Sequence, residues 1–276
     1  MFLGYNTNGF AHHRLEDTLR ILADLGYGGV ALTLDYTVLN PYEPDLGGRM
    51  AGVRRLLEQL GLRSVIETGA RFLLDPWRKH QPTLLSPTPH EREVRLGFLR
   101  EAIEIAHELS SDVVSFWSGA ASDEAPEPVL MDRLVESCQR LCEWAATKEV
   151  RLAFEPEPGM FIDTMARFTA LNERIQHPYF GLTLDVGHLH CLGEVPIAQR
   201  LRQWASQLWN IHIEDMRFGV HDHLMFGTGE IDFRPILRTL NEIGYRSGVY
   251  VELSRHSHDA VETARRAIRF LEAVQT

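Results

Sequence analysis

The stretch Gly181-Leu182-Thr183-Leu184-Asp185-Val186-Gly187-His188 decides how the chain is read. It alternates with the period of a β-strand: Leu182, Leu184 and Val186 face one way, and Gly181, Thr183 and Asp185 the other. The small-residue face ends in a carboxylate, placed where a metal or a sugar can approach.

Working outward, the same grammar recurs in three more places. Leu152-Ala153-Phe154-Glu155 sets Ala153 and Glu155 opposite Leu152 and Phe154. Asn210-Ile211-His212-Ile213-Glu214 sets Asn210, His212 and Glu214 opposite Ile211 and Ile213, and Gly248-Val249-Tyr250-Val251-Glu252 sets Tyr250 and Glu252 opposite Val249 and Val251. Four short strands thus each deliver a metal-competent side chain near the C-terminal end. A packed core has no need of them.

The remaining chain supplies alternating partners. Strands are expected at Phe2–Thr7, Val30–Leu34, Arg63–Glu67 and Asp112–Trp117. Helices are expected at 15–25, 50–60, 91–109, 129–147, 163–175, 195–208, 231–243 and 259–274, from apolar spacing and from stops such as Gly61. Eight strand–helix pairs without a compositional linker indicate one α/β domain over 1–276, a single (β/α)8 TIM barrel; an open doubly wound sheet is the competing architecture. A length of 276 residues accommodates the barrel.

Composition narrows the partners. The net charge of −10 opposes diffuse attraction to phosphate backbones, so nucleic acid is not the expected partner. Cys138, Cys142 and Cys191 form no disulfide framework, and the first two, four apart in a helix, read as apolar packing. Met1-Phe2-Leu3-Gly4-Tyr5 is no basic leader and no apolar run approaches membrane-spanning length, so a cytoplasmic protein is expected. Exposed aromatics leave room for a homo-oligomer.

In a barrel the ends of the strands converge on one mouth. Glu155, Asp185, His212 and Glu252, separated by 30, 27 and 40 residues, then form one ligand set. Three carboxylates and an imidazole suit one divalent ion, manganese first, with magnesium, cobalt or zinc as alternatives, better than a thiolate-rich structural site. Individually, Asp185 also reads as a helix cap, Glu252 as a surface acid and His212 as a satisfied buried histidine.

These residues carry a resemblance. From Leu152-Ala153-Phe154-Glu155 through Leu184-Asp185-Val186-Gly187-His188, Ile211-His212-Ile213-Glu214-Asp215 and Tyr250-Val251-Glu252, the chain resembles the xylose isomerase-like TIM-barrel superfamily, in particular its sugar phosphate isomerase/epimerase, ketose 3-epimerase-like branch. The resemblance implies that Glu155 and Glu252 bind the metal and flank the carbon whose proton moves, and that Asp185 and His212 complete the metal site. It implies substrate contacts for His188 and Arg217. Glu157 is the reserve sugar contact, and Trp117 and His223 are further candidates for the pocket wall.

The expected activity is divalent-metal-dependent isomerisation or epimerisation of a sugar, ketosugar or inosose through an enediolate. A lyase or dehydratase shares the proton abstraction but expels a hydroxyl, and a sugar-binding protein keeps the site without turnover. An endonuclease IV-like phosphodiesterase is suggested by His221-Asp222-His223 before Gly227 and Gly229, although His221 stands where that family has an aspartate and earlier strand exits offer Glu67 and Trp117-Ser118 in place of histidines. The bland reading of 220–229 is a polar loop. Asn6 and Glu67 are lesser candidates at the mouth. The irregular stretch 68–89, with Arg71, Phe72, Trp77, Lys79 and His80, reads as a binding loop or lid, or as a surface flap.

Overall fold

The computed structural model describes residues 1–275. The strands are β1 (Phe2–Asn6), β2 (Gly29–Thr33), β3 (Arg63–Glu67), β4 (Val114–Phe116), β5 (Leu152–Phe154), β6 (Phe180–Asp185), β7 (Leu208–Ile213), β8 (Asp215–Arg217), β9 (Val220–Leu224) and β10 (Gly248–Val251). All but β8 and β9 close into one parallel barrel in the order β1-β10-β7-β6-β5-β4-β3-β2. The helices are α1 (Leu15–Asp24), α2 (Leu46–Leu60), α3 (Pro89–Leu109), α4 (Glu127–Thr147), α5 (Met165–Ile175), α6 (Val186–Cys191), α7 (Ile197–Trp204), α8 (Phe233–Glu242) and α9 (Ala260–Gln275). The TIM barrel is therefore the architecture, and the open sheet is excluded by the β1–β2 and β1–β10 pairings that close it. Among the described residues no helix is long and apolar enough to cross a membrane.

Strand parity sorts the side chains into two cores. Leu3, Tyr5, Val30, Leu32, Ile66, Leu182, Leu184, Ile211, Ile213, Val249 and Val251 join the large cluster beneath the helices. Ala31, Val65, Val113, Ala153 and Tyr250 form a separate small cluster, the filling of the barrel, with Phe2 and Trp209 against it. Cys138 and Cys142 are buried free thiols in the helix layer, as apolar packing requires.

The inward rows explain the position of the site. Along β5 the inward sequence is Ala153 then Glu155; along β6, Gly181, Thr183, Asp185; along β10, Gly248, Tyr250, Glu252. Small residues and one tyrosine occupy the lower layers, and ionisable groups the top. In β7 the register slips between Leu182↔Leu208 and Thr183↔Asn210, so one extra residue bulges and Asn210 and His212 share the inward face.

Three local features differ from the sequence expectations. Strand β6 ends at Asp185, because its carboxylate accepts from the backbone N–H of His188 at 2.8 Å and starts α6 one residue earlier than the alternation suggested. The expected helix 195–208 shortens to α7, with Leu208 entering β7. The stretch 220–229, with a polar loop among its expected readings, opens instead on β9, which pairs antiparallel with β8 through a turn at Phe218-Gly219 with Gly219 at φ +74.

The filling of the barrel is tight at one glycine. A methyl group at Gly4 would overlap the ring of the fully buried Tyr250. Gly4→Ala is expected to lower stability by about 2 kcal/mol through overpacking, read as a lower urea midpoint; an unchanged midpoint would contradict this packing.

Candidate metal centre and proton-transfer site

A cavity of about 380 Å³ opens at the C-terminal ends of the barrel strands. Glu67, Glu155, His212 and Glu252 line it, together with His188, His221, His223, Trp117, Glu157, Asn6 and Asn8. The placement is a consequence of strand direction: parallel strands send their last inward residues to the same mouth.

Ligand atoms of Glu155, Asp185, His212 and Glu252 all lie within 4.8 Å of one another. His212 Nδ1 is 3.1 Å from Glu155 Oε1 and 3.1 Å from Glu252 Oε2. Its other ring nitrogen, Nε2, is 2.8 Å from Glu67 Oε1, so Glu67 stands behind the imidazole and fixes its orientation. Asn210 Nδ2 donates to Glu67 Oε1 at 3.1 Å, and Thr183 Oγ1 bonds Ser115 Oγ at 2.9 Å, which gives the carboxylates a polar floor.

The donor set fits a divalent cation. One oxygen of Asp185 caps α6, while Oδ2 is buried without a hydrogen-bond partner and is 4.0 Å from His212 Nδ1. A buried carboxylate oxygen with no hydrogen bond, 3.7 Å from His188 Nε2, is available to a cation. Three oxygen donors and one nitrogen, with a carboxylate behind the histidine, match an oxygen-preferring divalent ion.

Without a cation the carboxylates divide the available protons unequally. Burial pushes Glu155 up to about 8, against the pull of His212 and with the push of Glu252 and Asp185. Glu252 is also penalised by burial, but the hydrogen bond and charge of His212 hold it well below the usual carboxylate range. Burial acts to lower His212, yet Glu67 and Glu155 win and keep it protonated. Burial raises Glu157, helped by Glu155 and Glu252. Burial lowers His188 to about 4, a neutral imidazole at physiological pH.

The hairpin folds back over this centre. Asp215 holds its base by accepting from the N–H groups of Gly227, Gly229 and Ile231 at 2.8, 2.9 and 3.1 Å. His221 Nε2 then lies 3.1 Å from His188 Nε2, and His223 Nδ1 is 3.2 Å from the Glu252 carbonyl. His188, His221 and His223 form a second grouping with metal-compatible spacing.

Of the substrate contacts expected from the sequence, His188, Glu157, Trp117 and His223 line the cavity and Arg217 does not. Arg217 is exposed and donates to the Thr228 carbonyl at 3.2 Å, because it closes the hairpin on the side away from the pocket. Trp117 is held by the Arg95 guanidinium 5.0 Å from its ring centre, and Arg95 also donates to the His80 carbonyl at 3.1 Å. That buried arginine pins the 68–89 segment to α3. Arg71, Lys79 and His80 from this segment line the mouth, whereas Trp77 is 89% exposed.

Two further residues received no site role from the sequence. Asn8 Nδ2 donates to Glu252 Oε1 at 2.8 Å, so a residue of the 3-10 turn after β1 orients that carboxylate. Glu214 is fully buried beneath the hairpin, 4.0 Å from His223 Nδ1, and its proton affinity is raised by burial and by Asp185. Alternation flagged Glu214 as inward-facing but gave no sign of how deeply it is buried.

Residues 19–274 match the family model described as xylose isomerase-like TIM barrel. An uncharacterised protein of Methanocaldococcus jannaschii is 26% identical over 66% of this chain, which spans 64% of that relative's length. The L-ribulose-5-phosphate 3-epimerase UlaE of Shigella flexneri is 22% identical over 86% of this chain and 81% of its own. Among solved structures, the D-allulose 3-epimerase of Methylomonas sp. in complex with D-allulose superposes with a TM-score of 0.78 at 19% identity, covering 99% of this chain and 96% of the other. The IOLI protein with a bound zinc atom superposes with a TM-score of 0.77 at 16% identity, covering 99% and 98%. At these identities the structural likenesses establish the fold.

Metal binding here is expected to strengthen as pH rises from 6 to 8.5, because Glu155 and His212 must surrender protons to become ligands. Calorimetry with Mn²⁺ in buffers of different ionisation enthalpy should show proton release at pH 7, and affinity independent of pH would contradict it. Glu67→Gln removes the anion behind His212 and is expected to weaken metal binding by about 10- to 100-fold, measured by the same titration.

Proposed function

The chain belongs to the xylose isomerase-like TIM-barrel family, and from that premise we propose that it is a divalent-metal-dependent isomerase or epimerase of a sugar, ketosugar or inosose. One observation carries the reading. Two carboxylates, Glu155 and Glu252, converge on Nδ1 of His212 at the floor of a cavity, with proton affinities driven in opposite directions.

Glu155, Asp185, His212 and Glu252 would hold the cation, manganese first and magnesium, cobalt or zinc next, which supplies polarisation of the substrate carbonyl and a counter-charge for the enediolate. One of the two glutamates takes the proton from the carbon beside the carbonyl, and the C–H electron pair moves into the enediolate. The other returns a proton. Return to the opposite face of the same carbon gives the epimer, and return to the neighbouring carbon gives the aldose–ketose isomer.

The other lining residues have roles that follow from their protonation. Asn8 holds Glu252 at 2.8 Å through an amide N–H and leaves Oε2 toward His212. Glu157, which retains its proton, is a hydrogen-bond donor for a sugar hydroxyl. His188 is neutral and its buried Nδ1, 3.6 Å from Glu155 Oε1, makes no hydrogen bond, so it can accept from or donate to a hydroxyl beside the carbonyl. Trp117 provides the wall on which a sugar face rests.

A second reading, phosphodiester hydrolysis at a multinuclear centre, is favoured by one feature alone, the grouping of His188, His221 and His223. The net charge of −10 and the presence of Glu67 and Trp117 at the earlier strand ends favour the sugar reading. Metal content separates the two: one ion per chain is expected, and two or more would favour the hydrolase.

A metal-loaded sample given ketoses and inososes in D2O should exchange the proton beside the carbonyl, observed by NMR. Glu155→Gln and Glu252→Gln should each reduce that exchange by about 100-fold or more while the fold is retained by circular dichroism. No exchange across the panel, with the metal bound, would sink the proposal.

A further inference from the structure

We infer that the reaction pocket continues into a second sugar subsite, formed by Asp35, Tyr36, Arg71 and Phe72, which takes a glycosyl substituent carried by the ketosugar. The inference rests on the proposed proton-transfer role of Glu155 and Glu252, which fixes where the reacting sugar lies.

A second cavity, of about 270 Å³, adjoins the first and shares Asn8, Thr33 and Arg71 with it. Its walls come from the segments that follow β1, β2 and β3, all on the same C-terminal face of the barrel. The reaction pocket alone already has the volume typical of a small-ligand site. The adjoining space is therefore room beyond that needed by one sugar.

The chemistry of its walls suits a second sugar ring. Tyr36 is 58% exposed and Phe72 42% exposed, so the fold leaves two aromatic side chains uncovered beside the cavity. A pyranose offers an apolar C–H face to such rings and a rim of hydroxyls to planar ionic side chains. Asp35 and Arg71 supply those planar groups. One oxygen of Asp35 accepts from the Tyr36 N–H at 2.9 Å, which fixes the carboxylate next to the aromatic ring. Among the described residues, the Arg71 guanidinium takes part in no hydrogen bond or ion pair, although the chain carries an excess of acidic groups. An unpaired, partly covered arginine at the junction of two cavities is a donor fork awaiting hydroxyl oxygens.

Asn8 connects the two spaces. Its Nδ2 donates to Glu252 Oε1, and the residue also lines the second cavity. A substituent occupying the subsite therefore sits against the residue that orients one of the two proton-transfer carboxylates.

The test uses the metal-loaded enzyme with D-fructose and with glucosyl-fructoses linked through O4, O5 or O6. Proton exchange is followed by NMR, and equilibrium binding of the same sugars by calorimetry. At least one glucosyl-fructose should have a KM or Kd about tenfold below that of fructose, and Tyr36→Ala and Phe72→Ala should each remove about tenfold of that advantage while changing fructose by less than about twofold. Equal or weaker binding of every glucosyl-fructose overturns the subsite, even if fructose exchanges its proton. A binding advantage lost in the two variants supports the subsite even if no sugar exchanges, in which case only the proton-transfer reading fails. Variants that convert a dimer to a monomer in sedimentation, with sugar preference unchanged, overturn it in favour of a contact between copies of the chain.

Discussion

Glu67, Glu155, Asp185 and Glu214 are buried together with the half-buried Glu252 beside them, and His212 is the cation among these carboxylates. So many carboxylates cannot all ionise in a low-dielectric site, because each added charge raises the proton affinity of the rest. The elevation of Glu155 and Glu214 and the depression of Glu252 are the outcome of that competition. A divalent cation changes its terms by replacing protons as the counter-charge. The same crowding that is costly without a counter-charge is thus what suits the pocket to a cation and to the proton transfer proposed for it.

The scaffold meets this cost by rigidity below the site. Tyr250 fills the barrel against Gly4 and the small residues of the neighbouring strands, while Ser115, Thr183 and Asn210 make the hydrogen-bonded layer above it. The bulge in β7 brings His212 to the inward face beside Asp185, which is its register partner in β6. A one-residue slip there would turn His212 into the helix layer and leave the carboxylates without their cation. Position along a strand therefore controls proton affinity, through which face each residue occupies.

The strand ends were legible because two-residue alternation is a long, regular signal: Glu155, Asp185, His212 and Glu252 each follow several residues that agree on which face is inward. The hairpin was not, because Val220-His221-Asp222-His223-Leu224 alternates polar with polar and apolar only at its ends, with no apolar face to mark a strand. Its turn at Phe218-Gly219 was the available clue. Asn8 belongs to a single 3-10 turn after β1, Thr7–Phe10, too short for a period to indicate direction, and its bond to Glu252 joins residues at opposite ends of the chain. Arg217 shows the same limit from the other side: a motif position gave it a contact, but the hairpin geometry carries its guanidinium to Thr228.

Asp185 also shows why helix cap and metal ligand need not be competing readings of one residue. A carboxylate has two oxygens, and the N-cap uses only Oδ1. Capping fixes the side chain in one orientation, which leaves Oδ2 between His188 and His212, 3.7 and 4.0 Å from their ring nitrogens and in hydrogen-bond contact with neither. The same bond sets the start of α6, and α6 carries His188 to within 3.6 Å of Glu155. A single local interaction at the end of β6 thereby aligns the proposed ligand oxygen and a pocket histidine together. Loss of the cap would release both, even if every other strand end kept its place.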